Sequence, residues 1–186
     1  MTRLLLIIDI QRDYFPGGRH PLVDPDAAAD AASDLLTAFR TQGEAVVHVQ
    51  HIWDAPDAAF FAPGTPGVEI DPRVAPHEGE PLVVKAHPNA FLETDLGGLL
   101  DAAAPDEIVV AGMMSSMCVD ATVRAATDLG HRVTVAHDAC AAPDLAFGDT
   151  VVPAAQVHAA FMAALGDSYA RLATSAEVVG ELARRP

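Results

Sequence analysis

Short apolar runs alternate along the chain with segments whose apolar residues recur at helical spacing. The first run, Leu4–Ile10, is apolar without alternation, as expected of a strand buried on both faces of a sheet. From Pro25 to Gln42, apolar residues mark one face of a helix, and Gly43 is a natural stop. The chain therefore begins with a predicted strand followed by a predicted helix.

The same alternation continues through the rest of the chain. Further strands are predicted at Glu44–Ile52, Pro81–Ala86, Glu107–Gly112, His131–Asp138 and about Ala170–Leu172. Helices are predicted at about Thr94–Ala103, from behind Cys118 to Gly130, and around Val151–Leu165 and Ser175–Arg184. This order predicts an α/β fold, a three-layer α-β-α sandwich with a mostly parallel central sheet.

Length and composition predict a single globular domain. The 186 residues show no internal repeat and no linker, and 51% of them are apolar. The interval Trp53–Gly79 is irregular and rich in Pro and Gly, and an irregular segment of that length is typically functional. We therefore expect one domain over residues 1–186, with a functional loop between the second and third strands.

The charge of the chain narrows the classes of partner. Eleven Lys and Arg against 26 Asp and Glu give a formal net charge of −15, which disfavours nucleic acid and anionic membranes and favours cationic small molecules. The two cysteines, Cys118 and Cys140, cannot form a disulfide framework. The first residues resemble neither a signal peptide nor a membrane span. These features predict a cytoplasmic protein that binds neither nucleic acid nor membrane.

Four reactive or charged residues lie where predicted strands end. Asp9 nearly closes the first strand, His51 the second and Lys85 the third, while Cys118 follows the fourth. The carboxyl ends of parallel strands meet at one edge of a sheet, where the sites of open α/β sheets form. Because a buried unpaired charge is costly, we expect Asp9 and Lys85 to contact each other. A purely structural ion pair is the alternative for these two residues alone.

Cys118 stands at the start of a predicted helix. The helix dipole and a nearby lysine lower the pKa of a thiol, whereas Asp9 would raise it, so we expect the thiol to titrate together with its neighbours. The alternative is a small apolar core residue, which is also our interpretation of Cys140. A base, a cation and a thiol at one sheet edge are the groups that nucleophilic acyl transfer requires.

Four segments carry a resemblance to a known family. They read LLLIIDIQRDYF, FFAPGTPGVEI, EPLVVKAHPNAFLETDL and VVAGMMSSMCVDATVRAATDLGHRVTVAHDACA. Together, in this order, they resemble the isochorismatase-like hydrolases, a superfamily of Rossmann-like cysteine hydrolases. That superfamily includes nicotinamidases, N-carbamoylsarcosine amidases and streptothricin hydrolases. The resemblance covers nearly the whole chain.

The resemblance implies a catalytic triad of Asp9, Lys85 and Cys118. It also implies a cis peptide bond between Met113 and Met114, with the backbone N–H groups of Met114 and Cys118 as the oxyanion hole. In the implied mechanism Asp9 removes the thiol proton, the thiolate attacks an amide carbonyl, and water activated by Asp9 cleaves the thioester. Family members mostly form dimers or larger assemblies, so a homodimer or higher homo-oligomer is expected.

Departures from the family pattern narrow the expected activity. Ser115 stands where members usually have Thr, which keeps a hydroxyl group. The histidine set of metal-dependent nicotinamidases is missing after the second strand, so neither a metal ion nor a cofactor is expected. Isochorismatases that act on a vinyl ether can lack the nucleophilic cysteine. Its retention here favours an amide, lactam or imide substrate, with streptothricin-type lactam hydrolysis as one case.

Residues near the expected site are candidates for binding the substrate. They are Gln11, Phe15, His51, Trp53, Phe60, Phe61 and Phe91, with Met114 and His87 as further candidates. Gln11 either orients the Asp9 carboxylate or a water molecule, or is a plain polar residue after a strand. Phe60 and Phe61 are also expected to contribute to self-association. His20, His77, His131 and His158 are interpreted as surface residues.

Three alternatives to an amide hydrolase stay open. The first is an isochorismatase-type hydrolase of another small metabolite. The second is a flavodoxin-like module that binds a small molecule without catalysis, although QRDYFPGGRH lacks the glycine spacing of a phosphate-binding loop. The third is a catalytically silent relative that binds a partner protein.

Overall fold

A single sheet of six parallel strands forms the centre of the molecule in the computed structural model, which describes residues 1–184. In chain order the strands are β1 (Arg3–Ile8), β2 (Ala45–His51), β3 (Leu82–Lys85), β4 (Glu107–Met113), β5 (Val133–Ala141) and β8 (Arg171–Ala173). Their spatial order is β3-β2-β1-β4-β5-β8, and every pairing is parallel. The predicted α/β class and parallel sheet are confirmed.

Strand β1 lies at the centre of the sheet, and its side chains from Leu4 to Ile8 are apolar on both faces. Leu4, Leu5, Leu6 and Ile8 are fully buried, and β1 pairs with β2 on one side and β4 on the other. A strand buried on both faces needs apolar side chains at every position, which is the unbroken pattern in the sequence.

Helices cover both faces of the sheet and produce the three layers. They are α1 (Pro25–Gln42), α2 (Leu96–Ala103), α3 (Asp120–Asp128), α4 (Ala154–Ser168) and α5 (Ser175–Ala183). Leu35 and Phe39 of α1 and Leu182 of α5 belong to one apolar core, whereas Leu100 of α2 and Leu165 of α4 belong to the other. Within residues 1–184 no helix is both long enough and apolar enough to cross a bilayer.

The segment before α4 differs from the sequence prediction. Leu145–Phe147 (β6) and Thr150–Val152 (β7) form an antiparallel hairpin, so the helix predicted around Val151–Leu165 begins only at Ala154. Gly148 forms the hairpin turn at φ 59°, and Pro153 precedes the first helical turn. The three-residue strands are too short for their alternation to be recognised from sequence.

The exposed apolar side chains lie elsewhere than the sequence predicted. Phe61 is fully buried and Phe60 is partly covered, so neither forms the open apolar surface that we expected for self-association. The hairpin instead exposes Phe147 (87%) and Val151 (66%). Assembly into a homo-oligomer stays a prediction, but Phe60 and Phe61 no longer support it.

Gly112 of β4 pairs with Ile8 of β1, and the two backbones leave no room for a side chain there. Its φ is +147°, and a Cβ atom built on it would lie 2.1 Å from the carbonyl oxygen of Ile8. The register of β4 against β5 also shifts between Val110 and Gly112. Only glycine fits this position, because any side chain would collide with rigid backbone.

We expect Gly112→Ala to lower the free energy of unfolding by about 3 kcal/mol or more, because the methyl group meets backbone at an unfavourable φ. Urea denaturation followed by circular dichroism measures the change. Gly97→Ala is the matched control, because Gly97 lies in α2 with open space around its Cβ position. It should stabilise the protein by up to about 1 kcal/mol. Equal effects of the two substitutions would contradict the steric argument.

Candidate active site

Three of the predicted site residues meet at the carboxyl ends of the central strands. Asp9 follows β1, Lys85 is the last residue of β3, and Cys118 lies in a single π-helical turn, Ser115–Val119, after β4. The Lys85 Nζ atom lies 2.6 Å from Asp9 Oδ2 and 3.3 Å from Cys118 Sγ. The expected contact between the carboxylate and the ammonium is present, and the thiol adjoins it.

Lys85 crosses the end of β2 to reach Asp9, because β2 lies between β3 and β1 in the sheet. Its register partner on β2 is His51. The ammonium passes the imidazole at 2.8 Å from Nδ1 and ends against Asp9, whose side chain is as fully buried as that of Lys85. The three protons of the ammonium therefore face three acceptors: a carboxylate oxygen, a ring nitrogen and a sulfur.

Burial decides the protonation of the thiol. It raises the pKa of Cys118, and the negative charge of Asp9 raises it further, against the opposing effect of Lys85. No α-helix begins at Cys118 to lower this pKa, because the first α-helical residue is Asp120 and Cys118 lies inside the preceding turn. The thiol therefore keeps its proton at neutral pH.

The same burial strengthens Asp9 as a base. Desolvation raises the pKa of Asp9, and the charge and hydrogen bond of Lys85 offset part of that rise. A carboxylate with a raised pKa accepts a proton more readily than an exposed one. Because the pKa values of both groups are raised, the proton rests on the thiol. Its transfer to the carboxylate is favoured only when a reaction consumes the thiolate.

The turn that carries Cys118 begins with a cis peptide bond between Met113 and Met114. The Met114 carbonyl accepts hydrogen bonds from the backbone N–H groups of Met117 (3.1 Å) and Val119 (3.2 Å). Its own N–H group donates to no other residue in the described part of the chain. Beside Cys118 the turn thus presents an unused backbone donor.

A cavity of about 290 Å³ opens above the thiol. It is lined by Tyr14, His51, Trp53, Phe60, Ala86, Pro88, Met114, Met117 and Cys118. None of these lining residues is an Asp, Glu, Lys or Arg. The walls therefore favour a ligand by its shape and apolar surface. The Tyr14 hydroxyl, the His51 imidazole and the Trp53 indole N–H are the polar side-chain groups available for hydrogen bonds.

The structure places only some of the predicted substrate-binding residues in this cavity. His51, Trp53, Phe60 and Met114 line it, whereas Gln11, Phe15, Phe61 and Phe91 do not. His87 is also absent from the lining, and its ring pairs with Glu93 at 3.3 Å.

Gln11 is engaged with backbone groups rather than with Asp9. Its amide nitrogen donates to the carbonyl groups of His51 (2.9 Å) and Val68 (2.7 Å), and its amide oxygen accepts from the His51 N–H (2.8 Å). The side chain is completely buried. Gln11 therefore holds the end of β2 against the loop that follows it.

The three remaining phenylalanines pack away from the cavity for separate reasons. Phe61 is buried behind Tyr14, with ring centroids 4.6 Å apart. Phe15 packs under the Arg73 guanidinium, 4.9 Å from its ring centroid. Phe91 stacks on His131 at 6.4 Å. Sequence proximity to the site does not determine which way an aromatic ring points.

Four residues line the cavity although the sequence did not predict them: Tyr14, Ala86, Pro88 and Met117. Each is close in sequence to a predicted residue: Tyr14 follows Asp9 by five positions, and Ala86 and Pro88 follow Lys85. That adjacency is the available signal, since the loops at strand ends form the cavity mouth.

His158 also departs from its interpretation as a surface residue. Its Nδ1 lies 2.9 Å from Ser115 Oγ, and this hydroxyl also donates to the Ala141 carbonyl at 3.1 Å. Because the hydroxyl has one proton, His158 supplies the proton of the second bond. The contact fixes the start of the turn that carries Cys118.

Three side chains of the site could ligate a metal ion, but the Lys85 ammonium lies between them. A carboxylate oxygen of Asp9, a ring nitrogen of His51 and Cys118 Sγ all lie within 4.8 Å of one another. Lys85 Nζ lies within 3.3 Å of an atom of each. A divalent ion would need this position, so the residues do not fit a metal while the ammonium is present.

Comparison with known proteins identifies the family whose model this chain matches. The family model of the isochorismatase domain matches residues 3–177. The uncharacterized isochorismatase family protein YddQ of Bacillus subtilis is 51% identical over 175 residues, 94% of this chain and 97% of that protein. Streptothricin hydrolase of Streptomyces noursei is 42% identical over 174 residues, 89% of this chain and 60% of that protein.

Solved structures show the same fold. A crystal structure assigned to an isochorismatase hydrolase of Oleispira antarctica superposes with a TM-score of 0.93 at 49% identity, covering 96% of each chain.

We expect alkylation of Cys118 by iodoacetamide to accelerate by about tenfold per pH unit up to pH 9, because its raised pKa keeps the thiolate fraction small throughout this range. Site-resolved mass spectrometry measures the rate. Cys140 is the internal control. Burial raises the pKa of Cys140 as well, but its Sγ donates to the Ala136 carbonyl within β5, whereas Cys118 Sγ adjoins the Lys85 ammonium, so Cys140 should label more slowly. A rate that levels off below pH 7 would contradict the assigned direction.

We expect chelators to leave the activity of the wild-type protein unchanged, because Lys85 occupies the position of a metal.

Lys85→Met removes the ammonium and leaves the carboxylate, imidazole and thiol, so this variant should bind Co²⁺ with a thiolate charge-transfer absorption. The double variant with Cys118→Ala is the control and should lack that absorption. Loss of wild-type activity to a chelator, restored by zinc, would overturn the argument.

Proposed function

The chain belongs to the isochorismatase family of hydrolases, and from this premise we propose that it cleaves a C–N bond of a small-molecule amide, lactam or imide through a thioester on Cys118. The observation that carries the proposal is the Lys85 ammonium, which lies 2.6 Å from Asp9 and 3.3 Å from Cys118, the one member of the three that lines the cavity. A base, a cation and a nucleophile in mutual contact are the requirements of acyl transfer.

The first half of the proposed reaction forms the thioester. Asp9 takes the proton of the Cys118 thiol while Sγ attacks the carbonyl carbon of the substrate. Lys85 stabilises the negative charge that passes from carboxylate to sulfur. The backbone N–H groups of Met114 and Cys118 hold the oxyanion, an arrangement worth about 3 kcal/mol per donor. Collapse of the tetrahedral intermediate breaks the C–N bond, and protonated Asp9 returns its proton to the leaving nitrogen.

The second half releases the acid. Water takes the place of the amine, Asp9 removes its proton, and the hydroxide attacks the thioester carbonyl. The C–S bond breaks, the thiolate recovers its proton from Asp9, and the carboxylic acid leaves. The sum is one water consumed for one C–N bond cleaved, and Asp9, Lys85 and Cys118 return to their starting protonation states.

The cavity supports a small or slender substrate. Its volume of about 290 Å³ and its aromatic walls suit a planar, uncharged amide. Streptothricin-type lactam hydrolysis is the second candidate, favoured by the 42% identity to streptothricin hydrolase. A larger molecule would place only its lactam end in the cavity. Hydrolysis of another small metabolite, or binding without catalysis, are outcomes that the experiment below separates from both.

The test is a screen of amides, imides and lactams, with streptothricin included, for release of ammonia or amine. With any substrate found, we expect Cys118→Ala to lose about 10⁴-fold or more in kcat, and the wild type to accumulate an acyl adduct on Cys118 visible by intact-protein mass spectrometry. Cys140→Ala is the matched control and should keep its activity.

A second substitution tests the base. Asp9→Asn keeps the shape of the side chain but cannot accept the proton, so turnover should fall as far as in Cys118→Ala. Since this change also leaves the ammonium of Lys85 without its counter-charge, folding is measured in parallel by circular dichroism. Turnover by a folded Asp9→Asn protein, or by Cys118→Ala, would sink the mechanism.

A further inference from the structure

His51 contacts the triad from the cavity wall and has no role in the mechanism proposed above. Its Nδ1 lies 2.8 Å from Lys85 Nζ and 4.0 Å from Asp9 Oδ2. Its side chain is 14% exposed, and the ring lines the cavity. The ring therefore touches both the catalytic lysine and the space that a substrate would fill.

The contact with Lys85 determines the protonation of the ring. An ammonium group donates three hydrogen bonds and accepts none. At 2.8 Å, Nδ1 must therefore be the acceptor, and the proton of the neutral imidazole lies on Nε2. Burial and the positive charge of Lys85, with a contribution from His87, lower the pKa of His51 to about 4, which keeps the ring neutral at physiological pH.

The backbone of His51 is held in place by a neighbouring side chain. Gln11 binds both the N–H and the carbonyl of His51, at 2.8 Å and 2.9 Å. On its far side the ring packs near Phe61, with centroids 5.9 Å apart. The fixed backbone, the contact with Lys85 and the packing near Phe61 together position the ring at the cavity wall.

The Nε2–H group has no acceptor among the residues that the structure describes. Every hydrogen bond or ion pair of the His51 side chain there is made through Nδ1. Because the lining of the cavity carries no carboxylate, the natural acceptor for this proton is an atom of a bound molecule.

We propose that His51 has two roles: Nδ1 positions the Lys85 ammonium between Asp9 and Cys118, and Nε2–H binds an acceptor atom of the substrate. The proposal rests on the amide hydrolysis proposed above and narrows its substrate class. The substrate carries, besides the scissile amide, a second uncharged hydrogen-bond acceptor such as a ring nitrogen, carbonyl or ether oxygen. Through Nδ1 His51 is a positioning residue, and through Nε2 it sets specificity.

Two substitutions separate the roles. His51→Asn can place its amide oxygen near the position of Nδ1, so it keeps an acceptor for Lys85 but loses the ring and its Nε2–H. We expect kcat to fall by only about threefold and KM to rise by about tenfold, the value of one lost neutral hydrogen bond. His51→Leu keeps the volume but removes the acceptor, so kcat should fall by about 100-fold.

The control is His131→Asn, which changes a histidine outside the cavity and should leave both constants unchanged. A kcat of His51→Leu equal to that of His51→Asn would overturn the positioning role. A KM unchanged in both variants would overturn the substrate contact.

A spectroscopic measurement tests the same inference without any substrate. Long-range ¹H–¹⁵N spectra distinguish a protonated from an unprotonated ring nitrogen, and the signal missing from His51→Asn identifies His51 among the eight histidines. We expect an unprotonated Nδ1 and a protonated Nε2 from pH 8 down to pH 5. A protonated Nδ1 overturns the inference even if amides are hydrolysed. The expected tautomer without turnover of any amide would instead count against the proposed function.

Discussion

Everything at this site depends on one pair of opposite charges that has no contact with water. The Asp9 and Lys85 side chains are both fully buried and lie 2.6 Å apart. Either charge alone would cost several kcal/mol in this position, so each is tolerated because of the other. The strand order β3-β2-β1 forces the lysine to cross β2, and this crossing brings the ammonium to His51 and Cys118 as well.

Two buried side chains connect this pair to the irregular segment that walls the cavity. Gln11 joins the end of β2 to Val68, and Asp13 accepts the Phe61 N–H at 2.7 Å. Gly67 packs so tightly against the Asp13 carboxylate that a Cβ atom would lie 2.0 Å from it. The segment is therefore ordered by polar contacts with the residues that follow β1. The same short stretch of chain supplies Asp9 and shapes the space above the site.

The fold and the centre of the site could be read from the sequence because both follow from the cost of burial. An unbroken apolar run requires a doubly covered strand, and a charge inside such a run requires a partner, which led from Asp9 to Lys85. The cavity walls could not be read in this way. Phe60 and Phe61 are neighbours of equal polarity, yet one lines the cavity and the other is core, because loop geometry decides their direction. The raised pKa of Cys118 could not be read from the sequence either, since it depends mainly on burial depth, which strand-end position does not reveal.

The mutual dependence of Asp9 and Lys85 constrains how a lineage carrying this fold can diverge. Substitution of either residue alone leaves an unpaired charge in the interior and lowers the free energy of unfolding by about 3–5 kcal/mol. This is a large share of the roughly 5–15 kcal/mol by which a typical domain is stable. A descendant that abandons hydrolysis while keeping the fold must therefore exchange both residues nearly together, or first gain stability elsewhere. The ancestry of such a protein would then record paired replacements at these two positions, even though 76 residues separate them in the chain.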